Sequence, residues 1–347
     1  MIKMFNPVFL DSWFDELKKV IKSGVYTNGP ISEAFEDKFA DYIGSKFAVS
    51  VNSGTAALHL SLLANGIGKG DEVITSPFTF VATINAIKMT GAEPVFVDIK
   101  DDFLINETLI EDKINYRTKA ILPVHLFGKP VCLDKLNNIC NENELILIQD
   151  SCQALGAEYN KKKIGSSGTN AFSFYPTKAI NTFEGGMITT DSEKVYKKCQ
   201  SLKNHGNDSF GFNYRMNEIS AKLGLLQLPY LDKWNNKRIE TANKFDKIKK
   251  FIKPNLLPTE LESGTKHVYH QYNLIIPTYL DISRQEVINK LCGEGIESRI
   301  YYKKPLSKRL LDKTEMAFRL ANNSFSIPVH PNLSNEDINK IIECLNE

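Results

Sequence analysis

Between residue 47 and about residue 191, short apolar runs alternate with longer amphipathic stretches. No other feature constrains the fold as much. Leu145-Ile146-Leu147-Ile148 is apolar without a break, as in a strand buried on both faces of a parallel sheet. The pattern predicts strands over Phe47–Asn52, Glu72–Thr75, Pro94–Ile99, Ala120–His125, Leu145–Gln149, Ala171–Phe174 and Met187–Thr190. Helical periodicity falls between them, over Ala56–Asn65, Val81–Met89, Asp134–Asn143 and Glu193–Lys203. Strands that alternate with helices predict an α/β fold, a mostly parallel sheet flanked by helices.

After about Pro229 the character changes. A long polar helix is expected from Leu231 to about Ile252, then a proline-containing stretch over 253–258. Strands over Gln271–Ile276 and Ser298–Tyr302 then alternate with helices over Ser283–Cys292 and Asn335–Leu345. A chain of 347 residues has room for about two domains. The expected division is a large α/β domain over 1–230 and a smaller α+β domain over 231–347.

Charge and composition exclude several classes. Lys and Arg total 43 against 41 acids, a net charge of +2, so nothing marks a nucleic-acid or membrane-surface partner. No apolar run approaches the roughly 18 residues of a membrane span, and the N-terminus lacks a signal-peptide pattern. The six cysteines show no C-x-x-C spacing and the six histidines no H-E-x-x-H. Reduced thiols in a cytoplasm, and no metal site, are expected. No G-x-G-x-x-G follows the first strand, which argues against a nucleotide-dependent dehydrogenase.

Three segments carry chemistry. In Val51-Asn52-Ser53-Gly54-Thr55-Ala56, a strand ends and a helix starts on small residues. The unpaired N–H groups of a first helical turn suit a phosphate, although Ser53 or Thr55 could simply be an N-cap. Asp150 ends an apolar strand, where open α/β sheets bind ligands; it could equally cap the turn that follows. Lys178 follows the aromatic strand Ala171-Phe172-Ser173-Phe174 and precedes Glu184-Gly185-Gly186. A lysine in such a loop can be a Schiff-base nucleophile or a snorkelling surface residue.

Together these segments match what pyridoxal 5′-phosphate requires: a lysine to bind it, an acid for its pyridine nitrogen and a cradle for its phosphate. Ser173 can add a hydroxyl to that cradle. An aromatic cover for the ring is available from Ser76-Pro77-Phe78-Thr79-Phe80.

At these residues the sequence resembles the DegT-type (DegT/DnrJ/StrS) sugar-nucleotide aminotransferases, a branch of the fold-type I pyridoxal-phosphate enzymes. The ordered matches include Asn28-Gly29-Pro30, Ser53-Gly54-Thr55-Ala56-Ala57-Leu58, Gly91-Ala92-Glu93-Pro94-Val95-Phe96-Val97-Asp98 and Phe172-Ser173-Phe174. Lys178, Glu184-Gly185-Gly186 and Gly211-Phe212-Asn213-Tyr214-Arg215-Met216 continue the series. The resemblance implies that Lys178 is the aldimine lysine and Asp150 the partner of the pyridine nitrogen. It puts Gln153 at the cofactor's phenolic oxygen and Phe80 on the ring. Gly54, Thr55 and Ser173 fall at the phosphate, joined by Asn213 from the neighbouring subunit of a homodimer.

The resemblance also implies the reaction. An amino acid, glutamate in the family, gives its amino group to the cofactor, which passes it as pyridoxamine phosphate to a nucleotide-linked keto-sugar. The stretch 211–216 points to a 4-keto-6-deoxy sugar, within amino-sugar and surface-polysaccharide biosynthesis. The alternatives are a pyridoxal-phosphate sugar dehydratase, in which histidine replaces the lysine, and a non-catalytic regulator that keeps the fold. Two departures stand out. Gln149 replaces the usual Glu before Asp150, with little effect expected, and Ser307 replaces a His after Pro305-Leu306.

Overall fold

A computed structural model of the protein describes residues 1–206, 210–254 and 264–347. Part of the proline-containing stretch, 255–258, lies outside the described residues. The chain opens with helices α1 (Ser12–Ser23) and α2 (Pro30–Ile43), for which the apolar pattern gave no expectation. Pro30 occupies the first turn of α2, where its missing N–H costs nothing, and Gly44 ends the helix at φ 82°.

Seven strands form the main sheet: β1 (Phe47–Val51), β2 (Glu72–Thr75), β3 (Glu93–Phe96), β4 (Thr118–Leu122), β5 (Ile146–Asp150), β8 (Thr169–Ser173) and β9 (Gly186–Thr190). A short hairpin, β6 (Glu158–Tyr159) with β7 (Lys162–Lys163), interrupts the series. The sheet order is β1-β9-β8-β5-β4-β2-β3. Pairs β2–β3, β2–β4, β4–β5 and β5–β8 are parallel, whereas β9 runs antiparallel to both β8 and β1. The α/β class with a mostly parallel central sheet is therefore as expected.

Helices α3 (Gly54–Ala64), α4 (Val81–Met89), α5 (Leu133–Glu142) and α6 (Glu193–Lys203) connect the strands, followed by α7 (Glu218–Gln227). Nearly every residue of α3 is buried, which fits its mostly apolar sequence, and His59 and Ser61 are buried with the rest. Ser53 starts it, its Oγ accepting the Ala56 N–H at 3.1 Å.

The C-terminal part holds α8 (Leu231–Lys244), strand β10 (Tyr272–Ile275), α9 (Arg284–Gly293), α10 (Arg309–Asp312), α11 (Glu315–Asn323), β11 (Ser324–Ile327) and α12 (Asn335–Asn346). Strands β10 and β11 form an antiparallel pair. Capping boxes, Ser283 with Glu286 and Ser334 with Asp337, fix the starts of α9 and α12. Phe245, Leu274, Leu291, Phe325 and Ile341 lie in the core of this part. Helix α11 instead lays Ala317, Leu320 and Ala321 against residues such as Phe103 and Phe127.

Two expectations change. Helix α8 ends at Lys244 rather than near Ile252, because Phe245 and Ile248 turn into the core. No strand covers Ser298–Tyr302: only Arg299 bridges, to Ser326 of β11, and Tyr302 turns away at φ 59°.

Candidate active site

The parallel order puts the carboxyl ends of β5 and β8 side by side, with Asp150 opposite Ala171 in register. A cavity of about 460 Å³ opens above them. Gly54, Thr55, Phe80, Asp150, Gln153, Ser173 and Lys178 all line it. Asn213 does not: it is exposed, and its Oδ1 accepts from Arg215 Nε at 3.0 Å and Nη2 at 2.9 Å.

Two donors fix the Asp150 carboxylate. Thr83 Oγ1 donates to Oδ2 at 2.8 Å, and the Cys152 N–H donates to Oδ1 at 3.1 Å. With its hydroxyl hydrogen so used, Thr83 accepts from Thr79 Oγ1 at 3.0 Å. Thr83 stands in the first turn of α4. Buried and turned into the cavity, this acid needs a cationic partner to offset its desolvation.

Lys178 closes a turn in which its N–H meets the Tyr175 carbonyl at 2.8 Å. Burial pulls its ammonium below the usual lysine range, while Cys152 and Asp150 act in the opposite direction. Burial also pushes the Cys152 thiol well up, helped by the neighbouring Asp150, so the thiol stays neutral.

The opposite wall is an N-terminal helical turn. The N–H groups of Gly54 and Thr55 come before any intrahelical acceptor and head α3. A Cβ on Gly54 would stand 2.6 Å from Ser173 Cβ and 2.9 Å from its Oγ. Only glycine lets the helix start approach Ser173 so closely. The first residue of β9, Gly186, lies as near: a Cβ there would meet the Ser53 carbonyl oxygen at 2.4 Å.

Gln153 is held at both ends of its amide. Its Oε1 accepts the Phe127 N–H at 2.9 Å, and its Nε2 donates to Tyr302 Oη at 3.0 Å. One Nε2 hydrogen is left for a ligand. Beneath the site, Val131 N–H donates to His125 Nδ1 at 3.1 Å, so His125 Nε2 donates to Gln149 Oε1 at 3.0 Å. Burial lowers the His125 pKa to about 4.

Sequence reasoning missed Thr83, Arg299 and Tyr302 as lining residues. The Thr79–Thr83 spacing of four at a helix start was an available signal for the first. For Tyr302 the resemblance put the stretch 301–307 near the sugar site of the family without naming a residue, and Arg299 gave no signal, because its segment reads as a strand. Ser307 lies off the cavity lining, its hydroxyl 2.7 Å from Thr314 Oγ1.

These residues fit pyridoxal 5′-phosphate. The missing Cβ at Gly54 lets the helix start and Ser173 lie side by side on the cavity wall, where their N–H and hydroxyl groups can serve a phosphate, and the lysine and acid face the same space. The comparisons agree. GDP-perosamine synthase of Escherichia coli O157:H7 is 37% identical, the match covering 99% of this chain and 98% of that protein. The spore coat polysaccharide biosynthesis protein SpsC of Bacillus subtilis is 35% identical, over 98% and 95%. Among solved structures, Helicobacter pylori PseC, an aminotransferase involved in pseudoaminic acid biosynthesis, superimposes with a TM-score of 0.91 at 30% identity, over 99% and 98% of the two chains. Residues 11–346 match the profile of the DegT/DnrJ/EryC1/StrS aminotransferase family. The chain belongs to that family and is a sugar aminotransferase whose cofactor is pyridoxal 5′-phosphate.

Proposed function

We propose that the enzyme moves an amino group from glutamate to a nucleotide-linked 4-keto-6-deoxy sugar, as a cytoplasmic homodimer in surface-polysaccharide biosynthesis. The observation that carries this reading is the convergence of Lys178, Asp150 and the α3 N-terminus on one cavity. When bound, the cofactor supplies an electron sink that makes the carbon–hydrogen bond next to the amine acidic. Lys178 would hold the cofactor and would carry the proton to and from the carbon next to the amine; its lowered pKa suits it to act as a base. Asp150 would hold the pyridine nitrogen protonated. The free Nε2 hydrogen of Gln153 would serve the phenolic oxygen, Phe80 would cover the ring, and Gly54, Thr55 and Ser173 would hold the phosphate.

The sugar assignment is supported by the 211–216 stretch and by the GDP-perosamine synthases of Escherichia coli and Caulobacter vibrioides among the relatives. The dimer is supported by Phe80, which is 60% exposed in the single chain and lines the cavity with the half-exposed Tyr175. In that dimer the resemblance assigns the partner's Asn213 to the phosphate. The division into 1–230 and 231–347 belongs to the same proposal, with α8 packed on both sides: Leu231 on the first part and Ala242 on the second.

The test is an absorption spectrum of protein loaded with pyridoxal phosphate, before and after glutamate. A visible band that glutamate bleaches, and that Lys178→Ala lacks, is the expected result. A band that glutamate leaves unchanged refutes the donor; no band refutes the site. Nucleotide-linked 4-keto sugars should then restore the band.

A further inference from the structure

Left-handed backbone is rare for an aromatic residue, because its Cβ crowds the neighbouring carbonyl oxygen. Among the described residues five Phe and Tyr adopt it, and three of the five meet in one cluster: Phe103 at φ 69°, Phe127 at 58° and Tyr302 at 59°. With Phe78 they close a ring of contacts. Ring centroids lie 5.3 Å apart from Phe78 to Phe103, 5.3 Å from Phe103 to Phe127, 6.1 Å from Phe127 to Tyr302 and 5.3 Å from Tyr302 back to Phe78. The three Phe are buried, and Tyr302 lines the main cavity. Backbone strain of this kind persists only where its surroundings over-determine it, and it gathers at functional sites.

A buried ion pair braces the cluster. Asp102 precedes Phe103, Lys129 lies two residues past Phe127, and Lys129 Nζ stands 3.3 Å from Asp102 Oδ2 with both side chains under 5% exposed. Separating the pair would leave a buried charge unpaired, so the turn at Phe103 and the turn at Phe127 stay together. What the cluster presents to the site is one N–H group. At φ 58° and ψ 9°, Phe127 points its N–H at Gln153 Oε1, 2.9 Å away. A backbone N–H can only donate, so the amide oxygen has to face it. Tyr302 Oη, the other anchor of this amide, can accept or donate and would bond either end. Of the two anchors, Phe127 therefore decides which end of Gln153 is left for a ligand. With the amide reversed, two donors would face each other at Phe127 and an oxygen would be turned to the ligand.

We infer that Phe127 is the positioning residue of Gln153: its left-handed backbone, braced by the rings of Phe78, Phe103 and Tyr302 and by the Asp102–Lys129 pair, holds the amide so that Nε2 is the donor offered to the phenolic oxygen of the cofactor. The inference rests on the reading that Gln153 serves that oxygen. A donor there draws negative charge from the oxygen, so the cofactor-bound nitrogen of Lys178 beside it gives up its proton at lower pH. Losing the donor raises that pH.

The pH midpoint of the visible band in protein loaded with pyridoxal phosphate reads this directly. Phe127→Gly deletes the ring but adopts φ 58° freely, whereas Phe127→Val keeps apolar bulk and resists that φ. The midpoint should stay within about 0.3 unit of wild type in Phe127→Gly and rise by roughly 0.5–1 unit in Phe127→Val. A rise in Phe127→Gly as large as that in Phe127→Val overturns the inference, because ring packing rather than backbone conformation then decides. An unmoved midpoint in Phe127→Val overturns it too. If Phe127→Val does not fold, Phe127→Ala replaces it, since alanine also resists a left-handed φ; a smaller rise is expected, and no rise has the same meaning. Gln153→Leu removes the donor outright and should raise the midpoint at least as far as Phe127→Val does. An unmoved midpoint in Gln153→Leu sinks the role of Gln153 at the phenolic oxygen, and the inference with it.

Discussion

The floor and the C-terminal wall of the cavity are built differently. On the floor, Asp150 and Ser173 end neighbouring strands whose ladder fixes their backbones, and Asp150 is aimed by Thr83 and the Cys152 N–H. On the wall, Arg299 and Tyr302 sit in irregular chain joined to β11 by the Arg299–Ser326 bridge. One side-chain bond, Gln153 Nε2 to Tyr302 Oη at 3.0 Å, ties the two together. A sheet edge repeats its geometry whatever the loops do, which suits groups that handle the cofactor. Loops vary freely, which suits groups that recognise a sugar.

If chemistry lives on the floor, Lys178→Arg gives the largest loss. It keeps the charge but removes the attaching amine, and turnover should fall by about 10⁴-fold or more in a steady-state assay. Appreciable turnover in this variant would break the contrast outright. Next comes Gly54→Ala, whose Cβ would press on Ser173 at 2.6 Å. Overpacking of this kind costs about 1–3 kcal/mol. Equilibrium dialysis should show cofactor binding weakened by roughly 5- to 150-fold. Gly68→Ala is the control, since a Cβ there meets nothing within 4 Å.

Tyr302→Phe tests the seam. It deletes the acceptor of Gln153 Nε2, at a cost of about 0.5–1.5 kcal/mol. Stopped-flow measurement should place that loss, up to roughly tenfold, in the half-reaction with sugar, with the glutamate half nearly unchanged. Equal losses in both halves would mean that floor and wall do not divide the labour.

The floor was legible residue by residue, whereas on the wall only the stretch 301–307 was marked, and that by resemblance, for a physical reason. Strand β5 announces itself by an unbroken apolar run, and an acid at its end is conspicuous because burying it is costly. Lys178 follows the next aromatic strand at a fixed remove. On the wall, Ser298–Tyr302 carries a strand-like pattern, but Tyr302 leaves it at φ 59° to face Gln153, a choice made by tertiary contact rather than local propensity. Before β1 only Asn28-Gly29-Pro30 was marked, by resemblance; α1 and α2 carried no expectation, although Phe35, Phe39 and Ile43 of α2 are buried in the core.

The smallest expected effect concerns Gln149, just below the floor. His125 is kept neutral by its burial, and by accepting the Val131 N–H at Nδ1 while donating to Gln149. Its pKa of about 4 lies below its ordinary 6.5, so the unfolded chain binds more protons between those values. Stability from this group is therefore complete above about pH 6.5 and lost as pH falls to about 4, a swing of about 3 kcal/mol. Gln149→Glu puts a carboxyl where His125 Nε2 now meets an amide oxygen at 3.0 Å. An opposite charge at that range raises a pKa by roughly 1–3 units, though protonating Nδ1 breaks its bond from Val131 and keeps the rise toward the low end. The acid-side loss of stability should shrink accordingly, read by urea unfolding across pH 4–7 and by the His125 ring resonance. Turnover should stay within about twofold, well under the 1.4 kcal/mol that a tenfold loss represents, because neither His125 nor Gln149 lines the cavity. A large fall in turnover would show that the layer beneath Asp150 takes part in the chemistry.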